Sequence, residues 1–392
     1  MKPVYIVSAL RTPIGSFGGQ FAQVPATELG SQVVKAVIEQ SHVPSEAVDE
    51  VFFGQVVQAN AGQAPARQVA LGAGLSVATP STTINKVCAS GMKSIILGAQ
   101  SIALSDNEIV VTGGMENMSM IPYYIGKGRY GYGYGNAELV DGLVRDGLAN
   151  VYDGVAMGCF ADATATKYDI SREEQDRFAI QSYKRTAAAW ENGKYSTEVV
   201  GVQVKDKKGN ISSIQTDQEF KNVIFEKIPT LRPVFTKDGT VTAANASTIN
   251  DGAAAIILAS EEAVSKYDLS PIAKIVGYAD AAQEPAWFTT APVLAAKKAL
   301  DKSGLTLTDI DLFEVNEAFS VVTLAFIKQL GLEEDKVNIH GGAVSMGHPL
   351  GCSGARIVVT LAHALKQNNK KYGLAAICNG GGGASALIIE AI

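Results

Sequence analysis

Three side chains able to do covalent and proton-transfer chemistry lie far apart in the chain, each set among small residues and glycines. Cys88 is in NKVCASG (85–91), His348 in HGGAVSMGHPLGCSGAR (340–356) and Cys378 in ICNGGGG (377–383). Cys88 immediately precedes an apolar periodic stretch read as a helix, so its thiol is expected at a helix N-terminus. Free N–H groups and the helix dipole there favour a thiolate. A lone cysteine is more often a small buried hydrophobe, and His348 shifts that balance. Held between Gly347 and Pro349, this histidine suits a site better than a packed core. It can take a thiol proton or donate to a developing oxyanion. Cys378 ends the apolar run LAAIC (374–378) and precedes Asn379 and four glycines. Their bare backbone lets N–H groups such as that of Gly380 approach a ligand closely. A thiol held there can serve as general acid or base. Asn316, in VNEAFS (315–320), is expected at a strand end where loops gather. A nucleophilic thiol beside a second thiol able to move a proton on carbon points to carbon–carbon chemistry on acyl thioesters rather than to hydrolysis.

These residues must be positioned by an α/β scaffold. Apolar runs at 3–9, 48–57, 108–114, 255–260, 273–279, 374–378 and 385–392 read as strands. They alternate with helical patterns at 26–41, 91–104, 291–304 and 354–367. Strands apolar on both faces and interleaved with helices predict a largely parallel sheet covered on both sides. The element order then repeats. IVSA (6–9) has a counterpart in IVGY (275–278), VVKAVIEQS (33–41) in AAKKALDKS (295–303), and DEVFFG (49–54) in DLFEVN (311–316). The regions of Cys88 and His348 take equivalent places, which predicts a duplicated βαβαβ unit. Between the halves, roughly 119–247, the character changes. This stretch holds a Gly/Tyr-rich run (126–136), a charged helix over 171–195 opened by the capping box Ser171–Glu174, and a basic turn with Lys205, Lys207 and Lys208. It reads as a lid or substrate-binding insertion, with the Gly/Tyr run as a subunit contact.

Composition narrows the class further. A length of 392 residues implies two or three structural units. The net charge of −6 and the absence of a basic stripe argue against a nucleic-acid partner. Cys88, Cys159, Cys352 and Cys378 show neither metal-ligand nor disulfide spacing, so they read as thiols of a reducing compartment. No apolar run is long enough to span a bilayer and the start resembles no signal peptide. A cytoplasmic enzyme with no membrane attachment is the expectation.

NKVCASGMK, GGMENMS (113–119), TVTAANASTINDGAAA (240–255), EVNEAFS, GGAVSMGHPLGCSGAR and CNGGGGASA together resemble the biosynthetic thiolases over nearly the whole chain. The resemblance implies the thiolase fold, two α/β halves in a five-layer αβαβα sandwich. It assigns 1–118 plus 248–268 to the first half, 119–247 to a loop domain for coenzyme A binding and tetramerisation, and 269–392 to the second half. It implies reversible, ping-pong condensation of two acetyl-CoA to acetoacetyl-CoA plus CoA, in a homotetramer built as a dimer of dimers, with no metal and no cofactor beyond the CoA thioester substrates. Cys88 would be the acylated nucleophile, His348 its activator and Cys378 the acid/base at C2. Asn316, through a water, would form one oxyanion hole with His348; the N–H groups of Cys88 and Gly380 would form the other. Pantetheine and adenine contacts would fall on Leu148, Met157, Phe235, Ala243, Ser247, Ala318 and Phe319.

The chain also departs from the family pattern. Ala156 stands where a histidine often precedes Met157. Phe220 replaces the tyrosine of potassium-responsive mitochondrial members, although Ala243, Ala244 and Ala246 remain. Phe288, in EPAWFTTAP (284–292), matches members that cleave 2-methyl-branched substrates, where many short-chain thiolases have methionine. A broader-chain or 2-methyl-branched 3-ketoacyl-CoA thiolase is therefore the neighbouring alternative. A silent thiolase-like scaffold would be expected to lose one of Cys88, His348 and Cys378, and ketoacyl synthases lack the CNGGGG cysteine.

Overall fold

The computed structural model describes residues 2–205 and 208–392, so Lys207 of the basic turn lies outside the described residues. Nine strands carry the architecture: β1 (Val4–Arg11), β2 (Glu50–Gly54), β3 (Ser81–Ile84), β4 (Ile109–Asn117), β5 (Asn250–Ser260), β6 (Ala273–Ala282), β7 (Leu312–Val315), β8 (Tyr372–Asn379) and β9 (Gly383–Ala391). They hydrogen-bond in the order β7-β8-β9-β6-β1-β5-β4-β2-β3, and Gly15–Ser16 adds a short pairing to β5. The order β1-β5-β4-β2 of the first half repeats as β6-β9-β8-β7 in the second. The halves meet where β1 pairs antiparallel with β6, Tyr5 opposite Lys274. This is the duplication expected from the short sequence matches.

The expected parallel sheet is overturned. Only β7–β8, β2–β3 and β2–β4 run parallel; the remaining neighbours in that order are antiparallel. Residues buried on both faces report coverage, not direction. β5, buried at every residue from Asn250 to Ser260, lies antiparallel to both β1 and β4. The tight turn between Asn379 and Gly383 likewise forces β8 and β9 into a hairpin.

Eight helices complete the layers: α1 (Ala26–Ser41), α2 (Pro65–Gly72), α3 (Ser90–Ala103), α4 (Met157–Lys167), α5 (Arg172–Glu191), α6 (Ala291–Ser303), α7 (Ser320–Leu330) and α8 (Leu350–Gln367). One outer core packs α1 and α2 against the first half-sheet through Leu29, Val33, Val37 and Val69. A second packs α6 and α7 against the other half through Val293, Ala296 and Phe326. Between them α3 and α8 form a shared central layer, with Ile95, Ile96, Ile357 and Val358 facing strands of both halves. Each such buried aliphatic side chain contributes roughly 1.5–3 kcal/mol. The two central helices approach closely because both carry glycine at their crossing. A Cβ on Gly91 would lie 2.7 Å from the Ala355 nitrogen, and one on Gly354 would lie 2.4 Å from that of Met92. α8 begins at Leu350 rather than at 354, since Pro349 sits at its N-cap and the small residues that follow pack against α3.

The insertion 119–247 holds α4 and α5. Ser171 and Glu174 make the expected reciprocal cap, with Glu174 N–H donating to Ser171 Oγ at 3.1 Å and Ser171 N–H to Glu174 Oε2 at 2.7 Å. Arg11 of β1, fully buried, ties the insertion to the sheet through Glu198 (2.6 Å) and Asp217 (2.8 Å). The Gly/Tyr run stays exposed, Tyr130 and Tyr134 almost entirely so. No helix among the described residues is long and apolar enough to cross a membrane.

Candidate active site

The half-sheets bring the N-termini of α3 and α8 together beside the β8–β9 turn. At that junction lies a cavity of about 580 Å³ lined by Cys88, His348 and Gly380, and also by Leu148, Met157, Phe235, Ala243, Ser247, Phe288, Ala318 and Phe319. That size fits a medium-sized ligand. Asn316 and Cys378 stand just behind the lining: Asn316 touches His348, while Cys378 packs with Phe288 and Phe319 in one buried cluster.

Cys88 lies one residue before the N-cap of α3. Its backbone is carried there by Val87 at φ +46°, an uncommon conformation for a β-branched residue. Local hydrogen bonds hold this turn: Lys86 N–H donates to Ser90 Oγ (2.8 Å), Ser90 Oγ to the Val87 carbonyl (2.5 Å), and Val87 N–H to Asn85 Oδ1 (2.9 Å). The half-buried cysteine lines the cavity. Burial raises its pKa to about 11, although the backbone N–H groups of Gly380 and of Cys88 itself pull it down. The thiolate expected from the helix terminus is thus corrected. Desolvation opposes the helix terminus and favours the thiol form at rest.

His348 is neutral for the same reason, held down to about 3 by burial and then by the charge of Arg356. Its tautomer follows from its neighbours. Ser353 Oγ donates to the Pro349 carbonyl at 2.9 Å, so it accepts from Nδ1–H of His348 at 2.6 Å. Nε2 then carries the lone pair and accepts from Asn316 Nδ2 at 3.4 Å. Asn316 is fully buried and its Oδ1 has no protein partner, which leaves it free to accept from a water. The His348 backbone N–H donates to Asn250 Oδ1 at 2.9 Å. Gly347 makes this possible: at φ +109° its missing Cβ would fall 2.3 Å from the Asn250 side chain.

Cys378 is completely buried. Its pKa is raised by burial and further by the nearby Cys88 sulfur, which places the two thiols within electrostatic reach. Beneath the site, Glu116 accepts from the backbone N–H groups of Val56 (2.9 Å), Val57 (3.2 Å) and Gly351 (2.9 Å), stapling a first-half loop to the start of α8. Burial raises its carboxyl pKa to about 7, partly offset by those three donors.

Beyond the reacting groups the cavity wall is mostly apolar, with Ser16, Glu219, Thr242, Ser247 and Thr248 as its polar members. Phe235 and Phe319 meet edge to face at 6.1 Å, and Phe288 meets Phe160 the same way at 6.5 Å. Ser247 is pinned to the Ala318 carbonyl through both its N–H (3.0 Å) and its Oγ (2.8 Å). Ala156 is the N-cap of α4 and offers no side-chain hydrogen bond. Phe220 stacks parallel on Trp190 at 6.4 Å, so that position serves packing. The remaining histidines have structural places. His42 caps α1, His340 borders Gln367 at 3.2 Å, and His363 Nε2 reaches the Ala9 carbonyl at 2.9 Å. Ser353, Asn250 and Glu116 were not anticipated. All three lie within the family-like motifs, Ser353 in that of His348, Glu116 in GGMENMS and Asn250 in TVTAANASTINDGAAA, but only Ser353 stands close enough in sequence to His348 for its partner to be guessed.

Comparison with known proteins decides the family. The profile for the thiolase N-terminal domain matches residues 4–262, and that for the thiolase C-terminal domain matches 269–391. The chain belongs to the thiolase family. It is 54% identical over 390 residues to the acetyl-CoA acetyltransferase of Schizosaccharomyces pombe, covering 99% of each chain. It is 53% identical over 391 residues to the human mitochondrial acetyl-CoA acetyltransferase, covering 100% of this chain and 91% of that one. Among solved structures, a thiolase of Ascaris suum in complex with coenzyme A superposes with a TM-score of 0.95 at 48% identity, with complete coverage of both chains. The Bacillus anthracis acetyl-CoA acetyltransferase does so at 0.97 and 39%, covering 100% of this chain and 99% of that one. The thiolase fold is therefore this chain's fold.

Proposed function

We propose that this thiolase is an acetyl-CoA C-acetyltransferase, condensing two acetyl-CoA reversibly to acetoacetyl-CoA and CoA through an acetyl-Cys88 intermediate. The observation that carries the reading is a buried imidazole and a cysteine thiol lining one cavity, with Asn316 on the imidazole Nε2 and a second buried thiol behind the lining.

Each proton then has a place. As the Cys88 sulfur bonds to the acyl carbon, its proton passes to His348 Nε2. The departing CoA sulfur takes the proton of Cys378. That leaves an imidazolium and a Cys378 thiolate, which burial makes a strong base. The thiolate removes a C2 proton from the second acetyl-CoA, and the enolate oxygen is met by the imidazolium with a water on Asn316. The enolate carbon bonds to the Cys88-bound acyl carbon. As the thioester breaks, the Cys88 sulfur leaves with the His348 proton, restoring both thiols and the neutral histidine. The N–H groups of Cys88 and Gly380 stabilise the tetrahedral oxyanions, and each such donor is worth about 10²–10³ in rate.

Leu148, Met157, Phe235, Ala243, Ser247, Ala318 and Phe319 are the proposed contacts to pantetheine and adenine, with residues 119–247 as the coenzyme A-binding and tetramerisation domain between the halves 1–118 plus 248–268 and 269–392. CoA thioesters are the substrates, and the chemistry needs no resident cofactor. Exposed Tyr130 and Tyr134 support a homotetramer, which light scattering at micromolar concentration tests. The four free cysteines suit any reducing compartment, the cytoplasm included, and some relatives are mitochondrial by name.

Incubation with acetyl-CoA should add one acetyl group, mapped by mass spectrometry to Cys88 and absent from Cys88→Ala. Stable acetylation of another cysteine only would overturn the assignment.

A further inference from the structure

Lys86 precedes the strained Val87–Cys88 turn, yet its side chain leaves the first half altogether. Its ammonium donates to Asp280 on β6, to the Ala384 carbonyl on β9 (3.0 Å) and to Ser385 Oγ on β9 (2.8 Å). All of its donor capacity is therefore spent on the second half. Lys93 of α3 adds a second ammonium to Asp280 at 2.8 Å, and Ser385 Oγ donates to the same carboxylate at 2.6 Å. Exposed ion pairs of long side chains contribute little. This one is only about a quarter exposed at Lys86 and has three defined acceptors.

The strand it grips is the one that positions the second thiol. Ala384 pairs directly with Cys378, and Ser385 with Ile377. At the turn of the same hairpin Gly380 faces the Val87 side chain, whose Cγ1 would lie 3.6 Å from a Cβ placed there. The other hydrogen bonds of the Cys88 turn, through Asn85, Ser90 and Val56, close within the first half.

We propose that Lys86, with Asp280 and Ser385, is a positioning latch between the halves. It fixes the nucleophile turn against the β8–β9 hairpin and so sets the placement of Cys88 relative to Cys378 and the Gly380 N–H. The inference rests on the proposed two-thiol chemistry. A shift of about 1 Å at reacting groups can cost about 100-fold in rate. The latch therefore acts on turnover and leaves CoA-thioester binding and overall folding nearly untouched.

The test compares Lys86→Met, Asp280→Asn and Ser385→Ala with the wild-type full-length enzyme, reading thiolysis of acetoacetyl-CoA, thermal midpoint and acetylation of Cys88. Lys86→Met should lower kcat by about 10- to 100-fold, with KM within about twofold. Lys86→Met/Asp280→Asn should lose less than the product of the two single losses, because the two substitutions share the Lys86–Asp280 pair within one network. Ser385→Ala should lower kcat by about threefold and leave folding intact, so it tests the latch even if Lys86→Met does not fold. Wild-type kcat in Lys86→Met, or in Ser385→Ala should the former not fold, would overturn the proposal. So would losses that multiply in the double variant, or a change confined to KM. If wild-type Cys88 itself is not acetylated, the functional reading fails; if it is acetylated and turnover ignores Lys86, the latch alone fails.

Discussion

The starts of α3 and α8 occupy equivalent places in the two halves, yet they deliver opposite partners. The first presents a thiol after Val87 at φ +46°, braced by Asn85 and Ser90 of its own turn. The second presents an imidazole after Gly347 at φ +109°, braced at a distance by Asn250 from the other half and by Ser353 from its own helix. Duplication supplied two desolvated helix termini facing one cavity. Divergence then placed an acid at one and a base at the other. Neither group is charged at rest, so the pair gains reactivity only when substrate arrives and the proton can move. Cys378 has no such terminus. It sits in the strand β8, which suits a group that must wait, buried, for the second substrate.

That contrast is broken most severely at Cys378. Cys378→Ala should still acetylate Cys88, more slowly because the departing CoA sulfur loses its proton donor, yet lose exchange of the acetyl-CoA C2 protons by at least about 10³-fold, since the base is gone and the nucleophile remains. Deuterium exchange followed by NMR or mass spectrometry reads this. Exchange at the wild-type rate would make Cys378 a structural strand-end residue.

The resting protonation of Cys88 is the next test. A thiol pKa raised to about 11 means the thiolate is scarce throughout the neutral range and grows as pH rises. Alkylation by iodoacetamide without substrate should accelerate by about tenfold per pH unit between about pH 7 and 10, with no plateau. A plateau below about pH 9 would show that the helix terminus or His348 ionises the thiol at rest.

Gly347 and Val87 sharpen the comparison at equivalent positions. Gly347→Ala meets both the strained φ and the Asn250 side chain, so it should cost about 2–4 kcal/mol in stability and about 100-fold in kcat. Val87→Gly relaxes its turn while losing an apolar contact, and its stability should stay within about 1 kcal/mol of wild type. Urea unfolding checks both. Equal tolerance at the two positions would mean that the braces, not the backbone, set the geometry.

Much of this was legible before the structure. The duplication, the central helices and the Cys88–His348–Cys378 set are local: short motifs, fixed periodicity, glycines beside reactive side chains. Strand direction was not, because β5 is apolar on both faces whichever way its neighbours run. Nor was the protonation of Cys88, which depends on how much of the chain closes over it. Asn250 and Glu116 escaped because their roles are made across long separations, 98 residues from Asn250 to His348 and 235 from Glu116 to Gly351. A polar residue in an apolar strand carries no local sign of what it will hold.

The smallest effect concerns the cavity wall that belongs to neither helix terminus. Phe288 is buried, meets Phe160 edge to face at 6.5 Å, and packs in one cluster with Cys378 and Phe319. Its neighbours fix it. Trp287 lies under the Lys167 ammonium at 3.8 Å, and the Thr289 hydroxyl bonds that of Thr164 at 2.6 Å. A planar ring at this position is expected to leave space for a methyl branch on C2 that a flexible thioether would fill. One buried methyl is worth about 0.8 kcal/mol, a factor of about four. Acetoacetyl-CoA should therefore be the main substrate, with measurable thiolysis of 2-methylacetoacetyl-CoA. Phe288→Met should lower kcat/KM for the branched substrate about fourfold while sparing the linear one. Equal loss on both substrates would mean that the ring supports the whole pocket and does not select for branching.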